Sequence, residues 1–283
     1  MKVAFLGPAG TFSQEALSAS SGSECLEPLP EPTLHETVMA VRDGRAQRAL
    51  VPIENSLEGS VNATLDALAL ETEDVVILGE LVHAVRHCLV AAAPVALEAI
   101  EKVVSHPQAS GQCARFLQRR LPGATVVPAA STADAVRMLT EGGHADETWA
   151  ALGTRLAAEL YGCEVLVDGV EDVEGNETRF VWLGRRGDEP VPAGGGGSKT
   201  ALVFWGAGAE APGWLVRCLA EFATRGVNLT RIESRPRRRG LGSYMFFLDL
   251  EGHTSEPAVA DAVAALRGHA ETVRVLGCFP AAA

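Results

Sequence analysis

Residues 185 to 199 read RRGDEPVPAGGGGSK, and this stretch divides the chain. Two prolines followed by four glycines propagate neither helix nor strand, so residues 186–198 are taken as a flexible linker. Beyond it, residues 199–283 carry a compact pattern. TALVFWG (200–206) is a strand, and Leu215, Cys218, Leu219 and Phe222 mark one face of a helix. GVNLTRIES (226–234) and SYMFFLDLEG (243–252) are strands joined by an Arg-rich turn. A helix follows in EPAVADAVAALRGHA (256–270), with Val259, Val263 and Leu266 on one side, and ETVRVLG (271–277) closes the set. The order β-α-β-β-α-β predicts a ferredoxin-like unit.

On the other side of the linker, short apolar runs alternate with amphipathic stretches, which predicts an α/β fold. The candidate strands are KVAFL, RALVPI, DVVILG, RHCLVA, ATVVP, WAALG, EVLV and RFVWLG. Four Ser/Thr/Gly-rich turns open helices: GPAGTFSQEAL, IENSLEGSVNATLDAL, SHPQASGQCARFL and STADAVRML. Thr11 with Gln14, and Ser131 with Asp134, have capping-box spacing. These turns read either as ordinary caps or as helix N-termini converging on a cleft, where free N–H groups and positive dipole ends would hold an anion.

Composition narrows the function. A net charge of −12 argues against nucleic acid, and the basic run from Arg235 to Arg239 reads as a solvated turn. No membrane-spanning run, signal peptide, P-loop or metal-ligand spacing is found, and GPAGTFS lacks the spacing of a dinucleotide loop. The six cysteines are scattered without a CxxC pair, which predicts a reducing compartment and a cytoplasmic protein. One segment resists a bland reading. GNETRFVWLG (175–184) is a strand apolar on both faces that begins with three hydrogen-bonding groups, Asn176, Thr178 and Arg179.

Taken in order, GPAGTFSQEA, PIENSLEGSVNATLDAL, SHPQASGQC, ASTADA, AAELYG, GNETRFVWLG and GVNLTRIESRP resemble the prephenate dehydratases that carry a C-terminal ACT regulatory domain. The resemblance implies a catalytic domain at 1–185 of two α/β lobes, like a periplasmic binding protein, with the second lobe at roughly 80–165. The ACT domain is then 199–283. It also implies conversion of prephenate to phenylpyruvate, water and carbon dioxide, with no cofactor or metal. A homodimer or homotetramer, inhibited by phenylalanine at the ACT domain, is expected. Thr178 of the TRF motif is the implied catalytic residue, assisting departure of the ring hydroxyl. Asn55, Ser56, Ser105 and Gln112 match substrate-contacting positions, and Thr11 and Ser131 lie in loops that face substrate. Arg179 reads as a partner for a substrate carboxylate or as a salt bridge within its lobe, Phe180 as cleft wall, and His106 as structural.

The implied phenylalanine site comprises Gly213, Leu215, Val216, Asn228, Leu229, Glu233 and Ser234. There the usual Gly-Ala-Leu-Val appears as Gly213-Trp214-Leu215-Val216, so an indole stands in place of a methyl. It fills the site, reshapes it or turns onto a partner subunit. Three other activities stay open on residue types alone. These are dehydration of arogenate, decarboxylation of prephenate without aromatisation, and non-catalytic sensing.

Overall fold

The computed structural model describes residues 1–20, 26–141, 148–192, 196–206, 208 and 211–282. Cys25 and glycines 194 and 195 of the linker lie outside these. The chain forms two compact units, one of Met1–Thr37, Asn55–Glu58 and His83–Thr178, the other of Val38–Glu54, Gly59–Val82 and Arg179–Ala283.

The first unit is built on a five-stranded sheet in the order Glu164–Asp168, Cys88–Ala91, Trp149–Gly153, Lys102–Ser105, Thr125–Pro128. Its last three strands run parallel, and Cys88–Ala91 is antiparallel to both of its neighbours. Successive side chains point to opposite faces, so Val90, Val104 and Ala151 enter one core while Leu89, Val103 and Ala150 enter the other. Helix Thr132–Glu141 supplies Ala135, Val136 and Leu139 to the first core, and Cys113, Leu117 and Leu121 serve the second. Burial on both faces is why these strands read as continuous apolar runs. The four-residue strand Lys102–Ser105 is too short to show a period, and it was not among the expected strands.

Glu27–Glu31 is a second unexpected strand, parallel to Lys2–Leu6. Its Pro28 and Pro30 donate no hydrogen bonds, which an edge strand tolerates. After Lys2–Leu6 the chain turns through Gly10 at φ +88, where an added Cβ would lie 3.0 Å from the Ala157 side chain. Only glycine satisfies both demands. The turn is then held against helix Arg155–Leu160: Thr154 Oγ1 donates to Gly10 O at 2.6 Å and Tyr161 Oη to Ala9 O at 3.1 Å.

In the second unit, strand Glu177–Arg185 lies between Arg48–Asn55 and Val75–Ala84. Phe180, Val181 and Leu183 are fully buried, as a strand apolar on both faces requires. A four-stranded antiparallel sheet follows in the order Leu229–Pro236, Tyr244–Glu251, Ser198–Trp205, Thr272–Pro280. Helices Trp214–Ala223 and Pro257–Leu266 bury Cys218, Phe222, Val259, Val263 and Leu266 against Leu202, Phe204, Leu248 and Leu250. This is the ferredoxin-like arrangement expected from the element order.

Candidate active site

The site begins with one amide. Asn55 ends strand Arg48–Asn55, and its Oδ1 accepts the backbone N–H groups of Leu57 and Glu58, each at 3.0 Å. This Asx-type turn fixes which end of the carboxamide is oxygen. The Nδ2 end therefore faces the start of strand Glu177–Arg185, donating to Asn176 Oδ1 at 2.8 Å, Thr178 Oγ1 at 3.0 Å and Glu177 O at 3.1 Å. Thr178 is 8% exposed, and this is the one hydrogen bond its hydroxyl makes among the described residues. Because the oxygen accepts from Asn55, the hydroxyl proton remains available to a further acceptor.

The neighbouring groups extend the same logic. Ser56 Oγ donates to Asn176 Oδ1 at 3.3 Å and accepts from Glu177 N at 3.0 Å. With its Oδ1 accepting, Asn176 turns Nδ2 to Gln112 Oε1 at 3.2 Å. The Gln112 oxygen also meets His87 Nε2 at 3.0 Å, and Gln112 Nε2 donates to Glu58 Oε1 at 3.2 Å. The structure thus brings Asn55, Ser56, Gln112 and Thr178 into one hydrogen-bonded cluster, completed by Asn176, His87 and Glu58. Sequence reasoning assigned no role to these last three. Asn176 was visible as an extra polar group two residues before Thr178, whereas His87 lay hidden in an apolar strand pattern.

Thr11, Ser105 and Ser131 belong to the same unit, but each hydroxyl has a local use. Thr11 Oγ1 donates to Leu6 O at 2.9 Å, Ser105 Oγ to His106 O at 3.1 Å, and Ser131 Oγ to Asp134 Oδ2 at 2.9 Å. Ser131 and Asp134 form the expected capping box, with Asp134 N donating to Ser131 Oγ at 2.9 Å. At the other candidate box, Gln14 Oε1 reaches back to Gly10 N at 2.6 Å and Thr11 turns away from the helix. His106 N-caps helix Pro107–Gln112, its Nδ1 accepting from Gln108 N at 3.3 Å.

Arg179 and Phe180 fall in the second unit. The Arg179 guanidinium meets Glu80 at 3.0 Å, Glu54 at 3.2 Å and Asp249 at 2.5 Å. Burial lowers its pKa, but Asp249, Glu80 and Glu54 outweigh burial and raise it. Every nitrogen of this fork thus already faces a carboxylate. Phe180 is a buried core residue.

Of the residues implied for phenylalanine, Asn228 and Leu229 line a cavity of about 430 Å³ with Leu219, Ala223, Gly226 and Val227. Val216 is 70% exposed, Leu215 is half-buried, and Gly213 caps its helix at φ 78. Along strand Leu229–Pro236 burial alternates: Glu233 turns inward to accept from Ser60 Oγ at 2.6 Å, and Ser234 is exposed. Trp214 does not turn outward: the residue is 5% exposed. Its ring packs against Phe204 and Phe246, which also stack on each other, and Nε1 donates to His269 O at 2.8 Å.

Comparison with known proteins gives this geometry its context. A family model for prephenate dehydratase matches residues 3–188, and one for the ACT domain matches residues 210–268. A prephenate dehydratase of Amycolatopsis methanolica is 40% identical over 98% of this chain and 88% of its own length. A solved prephenate dehydratase from Arthrobacter aurescens, in complex with L-Phe, superposes with a TM-score of 0.88 at 37% identity, covering 99% of this chain and 90% of that one. Another solved structure, described as a novel type of quorum-quenching acylase, gives a TM-score of 0.85 at 33% identity over 100% of this chain and 98% of its own. The chain therefore belongs to the prephenate dehydratase family, with an ACT domain on the C-terminal side of its catalytic region.

Proposed function

We propose that the chain converts prephenate to phenylpyruvate, water and carbon dioxide, with Thr178 acting on the departing hydroxyl. The carrying observation is the Asn55 amide, which donates to Thr178 Oγ1 and so leaves the Thr178 proton for the leaving group. Loss of carbon dioxide and of the ring hydroxyl, which departs as hydroxide and takes its proton from solvent to become water, makes the ring aromatic and supplies the driving force. The protein's task is orientation and help for a poor leaving group. A threonine hydroxyl is too weak an acid to surrender its proton outright, so Thr178 stabilises the developing hydroxide by hydrogen bonding. Ser56 and Gln112 hold the turn and the amide cluster around it. Thr11, Ser105 and Ser131 shape loops, and the N–H groups that open helices Phe12–Ser20 and Thr132–Glu141 serve the substrate carboxylates. Arg179 we assign to the ion-pair network and not to a substrate carboxylate.

The test is product identification after incubating the pure protein with prephenate, beside Thr178→Val. Phenylpyruvate from the wild type and little from the variant supports the reading. A decarboxylated product that keeps its ring hydroxyl replaces it with the non-aromatising reaction. Turnover of arogenate alone moves the substrate, and turnover of neither leaves a sensor. Amide hydrolysis, raised by the acylase neighbour, is assayed in parallel. It has no support from the site, where Thr178 Oγ1 is hydrogen-bonded by an amide instead of a base.

We further infer feedback inhibition by phenylalanine through the ACT domain, in a cytoplasmic homodimer or homotetramer divided at 1–185, 186–198 and 199–283. The support is the L-Phe bound to the Arthrobacter relative and the cavity beside Asn228 and Leu229. Phenylalanine titration by calorimetry, with the mass measured by light scattering, tests both parts.

A further inference from the structure

We infer that His87 is a positioning residue for the reaction proposed above, acting on Thr178 through the amides of Gln112, Asn176 and Asn55. The inference rests on that reading of the site and on a chain of forced orientations. The Asn55 amide is set by two backbone N–H groups at its oxygen. Its Nδ2 obliges Asn176 to present Oδ1, so Asn176 Nδ2 obliges Gln112 to present Oε1. An oxygen that already accepts from Asn176 can only accept from His87 as well. The proton of the neutral imidazole therefore sits on Nε2.

The protein enforces this tautomer. His87 is 2% exposed, and burial holds its pKa below the usual histidine value. Its Nδ1 is buried and has no hydrogen-bond partner among the described residues, so a proton there would find no acceptor among them. The ring stands edge-on to Phe12, with centroids 5.2 Å apart and planes at 89°, and the His87 backbone N–H donates to Glu171 at 2.9 Å. A ring locked this firmly, with one nitrogen left unpaired, is an expensive way to fill space. What it provides is one N–H aimed at the Gln112 oxygen.

That N–H adds a third restraint to the Gln112 amide, beside Asn176 Nδ2 at its oxygen and the Glu58 carboxylate at its nitrogen. The two ends of a glutamine amide are almost the same size, and only hydrogen bonds distinguish and place them. Without His87 the Gln112 oxygen keeps a single donor and the amide loses the one contact that comes from a buried, immobile ring. Gln112 then holds Asn176 Nδ2 less firmly, and the looseness passes through Asn176 to the Asn55 amide beside Thr178.

The experiment compares His87→Leu with His87→Gln in the full chain, since the glutamine amide nitrogen reaches the place of Nε2 and retains a donor. His87→Leu is expected to lower kcat by about tenfold to a hundredfold with a smaller change in KM, as loss of orienting partners does. His87→Gln should recover most of that loss. In a Gln112→Ala background, His87→Leu should change kcat less than about twofold, because the route is already cut. Imidazole nitrogen NMR at neutral pH should show the Nε2–H tautomer. The inference is overturned if His87→Gln is as slow as His87→Leu, if the two losses multiply in the double variant, or if the ring carries its proton on Nδ1. Should His87→Leu fail to fold, His87→Asn replaces it, its shorter amide leaving the Gln112 oxygen unmet. A wild type that does not turn over prephenate would instead sink the proposed function, while the tautomer measurement still judges the orientation.

Discussion

A hydroxyl has one proton, and the disposition of that proton separates Thr178 from Thr11, Ser105 and Ser131. Thr11, Ser105 and Ser131 spend theirs on Leu6 O, His106 O and Asp134, whereas Thr178 Oγ1 only accepts. Thr178→Val keeps the shape and removes the donor. Turnover is expected to fall about 100- to 1,000-fold, the scale of losing one donor to a developing anion. Thr178→Ser should remain far nearer the wild type, and steady-state assays on the pair measure the difference. A sharper test is Asn55→Asp. One carboxylate oxygen still accepts from Leu57 and Glu58, so the turn survives, but the other replaces Nδ2 beside Thr178. The Thr178 hydroxyl would then donate to that carboxylate and turn its proton away from substrate. Activity should drop at least as far as in Thr178→Val, about 100-fold or more, and the melting temperature should fall too, because Asn176 Oδ1 and Glu177 O then face an oxygen in place of a donor. A variant that keeps its activity would refute this account of the amide.

Strand Leu229–Pro236 shows what the period of two accomplishes at the scale of an element. Arg231, Glu233 and Arg235 face inward, where Arg231 and Glu233 meet Ser60 and Arg235 grips both oxygens of Asp66 at 2.8 and 3.1 Å. Asp66 also accepts from Arg238, an exposed side chain, at 3.0 Å. Asp66→Asn should therefore cost about 1.5–3 kcal/mol as charged hydrogen bonds are lost. Arg238→Ala should cost about 0–1 kcal/mol, as exposed pairs do. Urea unfolding of both checks the contrast. In helix Trp214–Ala223 the buried indole makes Trp214→Ala a core deletion of about 3–5 kcal/mol, so phenylalanine binding is better probed with Trp214→Phe. Elements of this kind were legible in the sequence where a period ran long enough. The whole βαββαβ unit and the eight candidate strands were readable, but not Glu27–Glu31, whose prolines argue against a strand until its edge position is known. Asn55, Ser56, Gln112 and Thr178 were identified through motifs. The intended partner of Arg179 was not, because nothing local to TRF reveals that Glu80 and Asp249 arrive from distant strands. His87 was missed for the same reason: its task is defined by Gln112, and spacing does not report orientation.

At the scale of a whole unit, the residue after Thr178 belongs to a buried ion-pair network of the second unit. Arg179 and Lys199 share Glu80, at 3.0 and 2.7 Å, and Arg179 also holds Asp249 of strand Tyr244–Glu251. Glu80 is 4% exposed. Burial pushes its carboxyl up, but Lys199, the Ala282 N–H and Arg179 together bring it below the ordinary 4.5. Asp66 behaves alike, with burial outweighed by Arg235 and Arg238 and a result below 3.8. The sign of the linkage follows. Both carboxyls bind protons more weakly folded than unfolded, so their contribution is complete above the unfolded value and is lost as pH falls through the lower folded value. Stability should hold from neutrality down to about pH 4.5 and decline below it, the unfolded chain taking up protons first. Glu80→Gln removes one of these groups and should flatten the decline, at the cost of a lower plateau because Arg179 and Lys199 lose a buried counter-charge. Arg179→Met should be worse, about 3–5 kcal/mol, since it removes the cation that buried Glu80 and Asp249 share and leaves each with a single cationic partner, Lys199 and Arg231 respectively. Urea midpoints measured against pH for the three proteins decide the matter. Parallel acid limbs in wild type and Glu80→Gln would remove Glu80 from the account, and an Arg179→Met protein as stable as the wild type would dissolve the network itself.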